Sequence, residues 1–287
     1  MKSWIKKREV ERRDLLRLIA GKTSLPDYMI EKDFWVTIVL QALFGSEIGE
    51  HLAFKGGTSL SKSWQLLNRF SEDVDIVISK KLFGYRDEEQ YGKSERERMR
   101  DKANKYNRET VVPLLQKTIV EHGIPATAFK LYAGEYTSSD EDPTVLWLDY
   151  QPVVEIANAY TLPQVKIEIG VRAMMEPLEN RKVMSLLSAV LEPDDFGYVP
   201  SVLPQRTFWE KSFLLHELFQ KPLEKINTLR MSRHWYDLDR IDAGGFAEKA
   251  MADEKLFDAI RNHRKTFTKV AGVDYDALSP KALGLFP

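Results

Sequence analysis

The sequence contains no cysteine. That absence removes disulfides, thiolate metal sites and cysteine nucleophiles together. A charge excess is missing too: 42 Lys and Arg stand against 43 Asp and Glu, for a formal net charge of −1. Any contact with nucleic acid must therefore come from a local patch, not from a basic field over the whole surface. Glycine and proline are sparse, at 15 and 13 in 287 residues, and neither an internal repeat nor a low-complexity tract is visible. No apolar run approaches the ~20 residues of a membrane span; the longest, around residues 34–44, is interrupted by Thr37 and Gln41. The opening segment MKSWIKKREVERRDLLRLIA carries charge without an uninterrupted apolar core, so it does not read as a secretory signal. A Walker loop and a His-Glu-x-x-His metal motif are both absent, and no Ser-His-Asp logic emerges. What remains is a chain expected to be cytoplasmic and globular, long enough for one large domain or two smaller ones.

The most informative stretch is KGGTSLSKSWQLLNRFSEDVDIVI, residues 55–78. Gly56 and Gly57 permit a turn that side chains would forbid. Thr58 and Ser59 are then expected to cap a helix of about three turns, whose first N–H groups face whatever lies over the turn. A strand follows in which Asp73 and Asp75 share one face while Val74, Ile76 and Ile78 share the other. Two neighbouring carboxylates repel one another, and a divalent cation between them relieves that cost. The plain alternatives are a tight strand-to-helix connection and two solvated acids, one of them paired with Arg69. Lys55 and Lys62 flank the turn, either within reach of a phosphate if one binds there.

Around this stretch the chain reads as follows. Residues 4–20 suit an amphipathic helix, and a more apolar helix runs from Asp27 to Phe44. Residues 88–122 predict a long charged helix broken before Pro113. Its segment 93–108 holds seven basic residues (Lys93, Arg96, Arg98, Arg100, Lys102, Lys105, Arg108) against three acids. Such a run is ordinarily a solvated face with i,i+4 pairs, or else a surface that tracks phosphates. Strands are expected over 126–132, 144–150 and 164–172. In the last, Lys166, Glu168, Gly170 and Arg172 share the polar face, so Glu168 is either an ordinary exposed acid or a third metal ligand beside Asp73 and Asp75. Residues 173–206 read as a connection and the best domain boundary. Helices are expected over 208–219, 223–242, 246–253 and 254–268. Lys211, Arg233, His234 and Asp237 lie on the first two of these, and each alone is compatible with ordinary salt bridges.

The ordered set KGGTSL, RFSEDVDI, VKIEIGVR, RTFWEKSFLLH and SRHWYDL spans about residues 30–242 and resembles the nucleotidyltransferase-like toxins of the abortive-infection AbiEii/AbiGii family, within the DNA polymerase β-type nucleotidyltransferase superfamily. The resemblance implies an α+β fold: a mixed β-sheet nucleotidyltransferase core with helices over residues 1–180, followed by a largely helical C-terminal lobe over 181–287, with the site in the cleft between them. It implies that Gly56, Gly57, Thr58 and Ser59 cradle the triphosphate of an NTP and that Asp73 and Asp75 bind Mg²⁺. Glu168 would bind a second ion or help activate the attacking hydroxyl. Lys211 would reach the nucleotide phosphates, and Asp237 would be a required acid of the Tyr-Asp-Leu motif, with Arg233 and His234 accompanying it. The implied activity is transfer of a nucleoside monophosphate to an acceptor, expected to be RNA at the 3′ end of tRNA, by the toxin of a type IV toxin–antitoxin pair with a separately encoded antitoxin. Fold alone does not settle activity, so two alternatives stand beside it: an NTP- or antitoxin-binding module with little catalysis, and transfer to a protein hydroxyl.

Overall fold

The computed structural model describes residues 2–23, 25–86, 91–139, 141–156, 162–222, 224, 226 and 231–285. The chain divides into two compact units, Met1–Ser63 with Phe70–Ser201, and Trp64–Arg69 with Val202–Pro287.

The first unit is built on a seven-stranded mixed sheet. Its strands are β1 (Leu52–Lys55), β2 (Val74–Ile78), β3 (Phe129–Ala133), β4 (Thr144–Tyr150), β5 (Gln164–Gly170), β6 (Leu178–Val183) and β7 (Gly197–Val202), in the spatial order β3-β4-β5-β2-β1-β7-β6. β2 lies between β1, antiparallel to it, and β5, parallel to it. β4 and β5 alternate buried and half-buried residues, the signature of a sheet with one face on the core. The helices of this unit are α1 (Lys2–Ile5), α2 (Glu9–Thr23), α3 (Asp27–Phe44), α4 (Gly56–Lys62), α5 (Lys93–Tyr106), α6 (Val112–Glu121) and α7 (Leu186–Leu191). α3 spans the residues its composition predicts and is apolar all round. Ile30, Phe34, Trp35, Val39 and Leu40 are fully buried, and Trp35 stacks on Tyr150 of β4 with centroids 5.2 Å apart. The expected break before Pro113 is a π-helical turn, Asn107–Val111. The Asn107 Nδ2 leaves this turn to donate to Thr144 Oγ1 at 3.1 Å and to the Ile169 carbonyl at 3.3 Å. Residues 88–90, where that long helix was expected to begin, lie outside the described residues.

The expected connection at 173–206 contains β6, α7 and β7 instead. β6 is an edge strand of the mostly polar sequence LENRKV, with no strand beyond it among the described residues, and β7 carries Pro200. Because these elements complete the sheet, the first unit continues past the division expected at 180 and runs to Ser201.

The second unit is helical: α8 (Pro204–Phe219), α9 (Ser232–Ala243), α10 (Phe246–Ala252) and α11 (Glu254–Phe267). Of the helix expected over 223–242, residues 223, 225 and 227–230 lie outside the described residues. Trp209 and Phe213 pack against Phe257, at 4.9 and 5.3 Å between ring centroids, to form the core. Trp64 belongs here too: its indole donates to the Val202 carbonyl at 2.9 Å and packs edge-on against Phe246. No helix among the described residues is long and apolar enough to cross a membrane.

Candidate active site

Gly56 turns the chain from β1 into α4 with φ at +79°, and a Cβ at that position would lie 2.2 Å from Asp75 Oδ2. Both the conformation and the space therefore require glycine. Because one left-handed residue completes the turn, α4 begins at once, with Lys55 at its N-cap and no side-chain cap. This corrects the expected helix: it has 7 residues instead of about three turns, and Thr58 and Ser59 lie within it. Both side chains are buried, at 1% and 2% exposure, and the hydroxyls of Thr58 and Ser71 share a hydrogen bond at 2.8 Å. Gly56 and Gly57 themselves are half-buried.

The three expected carboxylates come together on adjacent strands. Asp75 of β2 lies in register with Lys55 of β1 on one side and Glu168 of β5 on the other, and Asp73 immediately precedes β2. Burial pushes the Asp75 carboxyl up to about 6; Lys55 opposes that rise, and Glu168 and Asp73 add to it. Asp73 is raised as well, by burial and then by Glu72, against the pull of Lys166. Glu168 is paired with Lys166 at 2.7 Å. Among the described residues no group of three or more Asp, Glu or His side chains is placed to hold a metal ion. Mg²⁺ is commonly held by one or two carboxylates and takes water and phosphate oxygens for the rest of its octahedron, a demand that two neighbouring carboxylates such as Asp73 and Asp75 can meet. The donors are hard oxygens, and burial raises the carboxyls of Asp73 and Asp75, a cost that a bound cation would offset. The residues fit the ion.

In the second unit, Asp237 is fully buried. Arg69 donates to it with both arms of its fork, Nε to Oδ1 at 3.0 Å and Nη2 to Oδ2 at 2.9 Å, and Lys211 Nζ stands 3.0 Å from Oδ2. His234 Nδ1 lies 3.4 Å from the same ammonium. Burial and then Lys211 lower His234 to about 4, so its ring is neutral near pH 7. Two cations against one carboxylate leave the cluster with one positive charge in surplus. Arg233 is exposed. Arg69, which the sequence offers as a counter-ion for the aspartates beside it, serves Asp237 instead, 168 residues away. Lys62 is likewise committed, as a nearly buried partner of Asp33, whereas Lys55 faces Asp75.

The basic run over 93–108, on α5 and the π-helical turn that follows it, divides into anchored and exposed members. Arg96 donates to the Tyr91 carbonyl, and Arg108 donates to the Gly134 carbonyl at 2.8 Å and to Glu141 at 2.9 Å. Lys93 pairs with Glu97. Arg98, Lys102 and Lys105 are exposed, and their i, i+4, i+7 spacing puts them on one face. Lys102 also leans over the Tyr85 ring.

A Gly-Gly turn into a helix, an Asp-x-Asp pair at the start of a strand and a parallel neighbour bringing a third carboxylate into register form the candidate site. The profile of the nucleotidyl transferase AbiEii toxin family of type IV toxin–antitoxin systems matches residues 38–284, and the chain belongs to that family. It is thus a nucleotidyltransferase toxin, and membership implies an NTP as substrate and a cognate antitoxin as partner. The fold is similar to that of MenT4, a nucleotidyltransferase toxin from Mycobacterium tuberculosis H37Rv, with a TM-score of 0.51, 16% identity, and coverage of 94% of this chain and 82% of that one. No curated protein sequence matches the chain.

Proposed function

We propose that the chain transfers a nucleoside monophosphate from an NTP to a hydroxyl of RNA, at the 3′ end of tRNA, in a Mg²⁺-dependent reaction in the cytoplasm. The observation that carries this reading is the in-register pairing of Asp75 with Glu168, both beside Asp73 and facing a glycine turn. Asp73, Asp75 and Glu168 would hold Mg²⁺. When bound, the ion supplies charge stabilisation to the phosphates and orients the oxygens of an in-line displacement.

The remaining work falls to the chain itself. The acceptor oxygen bonds to the α-phosphorus, the bond to the bridging oxygen breaks, and pyrophosphate leaves. Glu168 takes the hydroxyl proton, which its place beside the half-buried Asp75 suits. The main chain of Gly56 and Gly57 cradles the phosphates, helped by Thr58 and Ser59, whose buried side chains fix the helix behind the turn. Lys211 neutralises phosphate charge, and Asp237, with Arg69 and His234 about it, holds that ammonium in place. Arg98, Lys102 and Lys105 form the acceptor-binding stripe. Blocking tRNA ends stops translation, and the cognate antitoxin counters that effect.

The test is incubation with labelled NTPs, Mg²⁺ and either total RNA or total protein. Label is expected in RNA and not in protein, and Asp75→Asn is expected to lower transfer at least ~1,000-fold. Label appearing in protein alone, or transfer that survives the substitution, would refute the reading.

A further inference from the structure

α3 is apolar on every side, yet it buries three successive charges, Glu31, Lys32 and Asp33. Glu31 serves the scaffold: both its oxygens accept from the Val153 N–H, and Arg12 lies 3.9 Å away. Lys32 and Asp33 reach the site. Lys32 Nζ donates to Glu72 Oε2 at 2.5 Å and to the Leu162 carbonyl at 3.2 Å. Glu72 directly precedes Asp73, and Leu162 stands just ahead of β5, the strand of Glu168. One ammonium thus ties the starts of the two parallel strands whose acids meet in register. Asp33 Oδ1 accepts from Lys62 at the end of α4, and Oδ2 from the Leu186 N–H at 2.8 Å. Adjacent residues of one helix therefore hold the acid strands and the helix behind the glycine turn.

Buried ion pairs are poor sources of stability, because the cost of desolvating two charges offsets their attraction and apolar replacements often do as well. α3 already buries large apolar side chains throughout its length, so stability gives no reason for these charges. What a buried ammonium held by two acceptors adds is one fixed geometry. We propose that Lys32 is a positioning residue for nucleotidyl transfer: through Glu72 and the Leu162 carbonyl it fixes Asp73 relative to Glu168. Asp33 does the same for α4 through Lys62. The inference rests on the role given above to the three carboxylates.

Removing Lys32 alone leaves the half-buried Glu72 without its cation and can loosen the fold, so the decisive protein is the full chain with Lys32→Met and Glu72→Gln together. It is expected to fold, with the maximal rate of label transfer at saturating NTP lowered about 10- to 100-fold. The KM for NTP should change little. Mn²⁺ binding to the NTP-free protein, read by electron paramagnetic resonance, is expected to weaken about tenfold, equivalent to about 1.4 kcal/mol. Glu72→Asp keeps the charge and the fold but shifts the anchor by one methylene, and should lower rate and Mn²⁺ affinity together. A wild-type rate and wild-type Mn²⁺ affinity in either folded variant would overturn the inference and leave the reading of the site intact. A wild-type protein that neither transfers label nor binds Mn²⁺ would overturn that reading itself.

Discussion

Asp75 shows what the site demands of a single residue. Its carboxyl is raised to about 6 in the folded chain from an ordinary 3.8, so between those values the native state binds more protons than the unfolded one. Stability from this group is therefore present at low pH and lost as pH rises through about 6. His234 acts in the opposite sense: lowered from 6.5 to about 4, it contributes stability that is gained as pH rises through that interval. A pH scan of the wild type alone would mix the two, so the comparison is with Asp75→Asn. Without metal, that variant should match the wild type near pH 4 and exceed it above pH 6, by about 1–2 kcal/mol after allowance for solvent screening. Thermal melts in a chelator read the difference, and Mg²⁺ should close it for the wild type only. Lys211 and Arg69 separate in a similar way. Lys211→Met leaves Asp237 held by both arms of Arg69 and should melt near the wild type while losing about 100-fold in transfer. Arg69→Met leaves a fully buried carboxylate short of its main partner and should cost about 3 kcal/mol of stability. That Asp73, Asp75 and Glu168 come side by side was legible in the sequence, because strand periodicity displays them. Arg69 was not, since a partner 168 residues away leaves no local trace. The assignment of caps to Thr58 and Ser59 followed a local preference that the left-handed Gly56 overrides.

At the scale of elements, α5 yields its own test. Changing Arg98, Lys102 and Lys105 together to Glu alters only exposed positions and should move stability by no more than about 0.5 kcal/mol. If these residues follow a single strand of RNA, the slope of log affinity against log salt should flatten by about 2, at roughly 0.7 per phosphate contact. An unchanged slope would remove α5 from the acceptor surface. Arg96 and Arg108 are structural instead, and composition cannot distinguish Arg108, spent on the Gly134 carbonyl and Glu141, from Arg98. The central strands were legible because their alternation is clean, as in β5. β6 and β7 escaped because an edge strand of LENRKV and a strand containing proline give no such alternation.

At the scale of the whole molecule, the α+β class was readable from the strand-rich first part and the helical remainder, whereas the boundary was not. The chain enters the second unit twice, once for Trp64–Arg69 and again from Val202 onward. Those six early residues bring Trp64 to Phe246 and Val202, Arg69 to Asp237, and the Asn68 N–H to the Tyr236 hydroxyl at 3.2 Å. A fragment of residues 202–287 alone is expected to show no cooperative melting transition, and a peptide of residues 64–69 linked to it should restore one in calorimetry. This detour also bears on how such genes can recombine. A crossover at the codons near 201 would join a relative's helices to the native Arg69 segment and leave two separately evolved surfaces to match one buried aspartate. Exchange between related genes is thus expected to succeed when residues 64–69 travel with the distal block, and to fail when the gene is cut once.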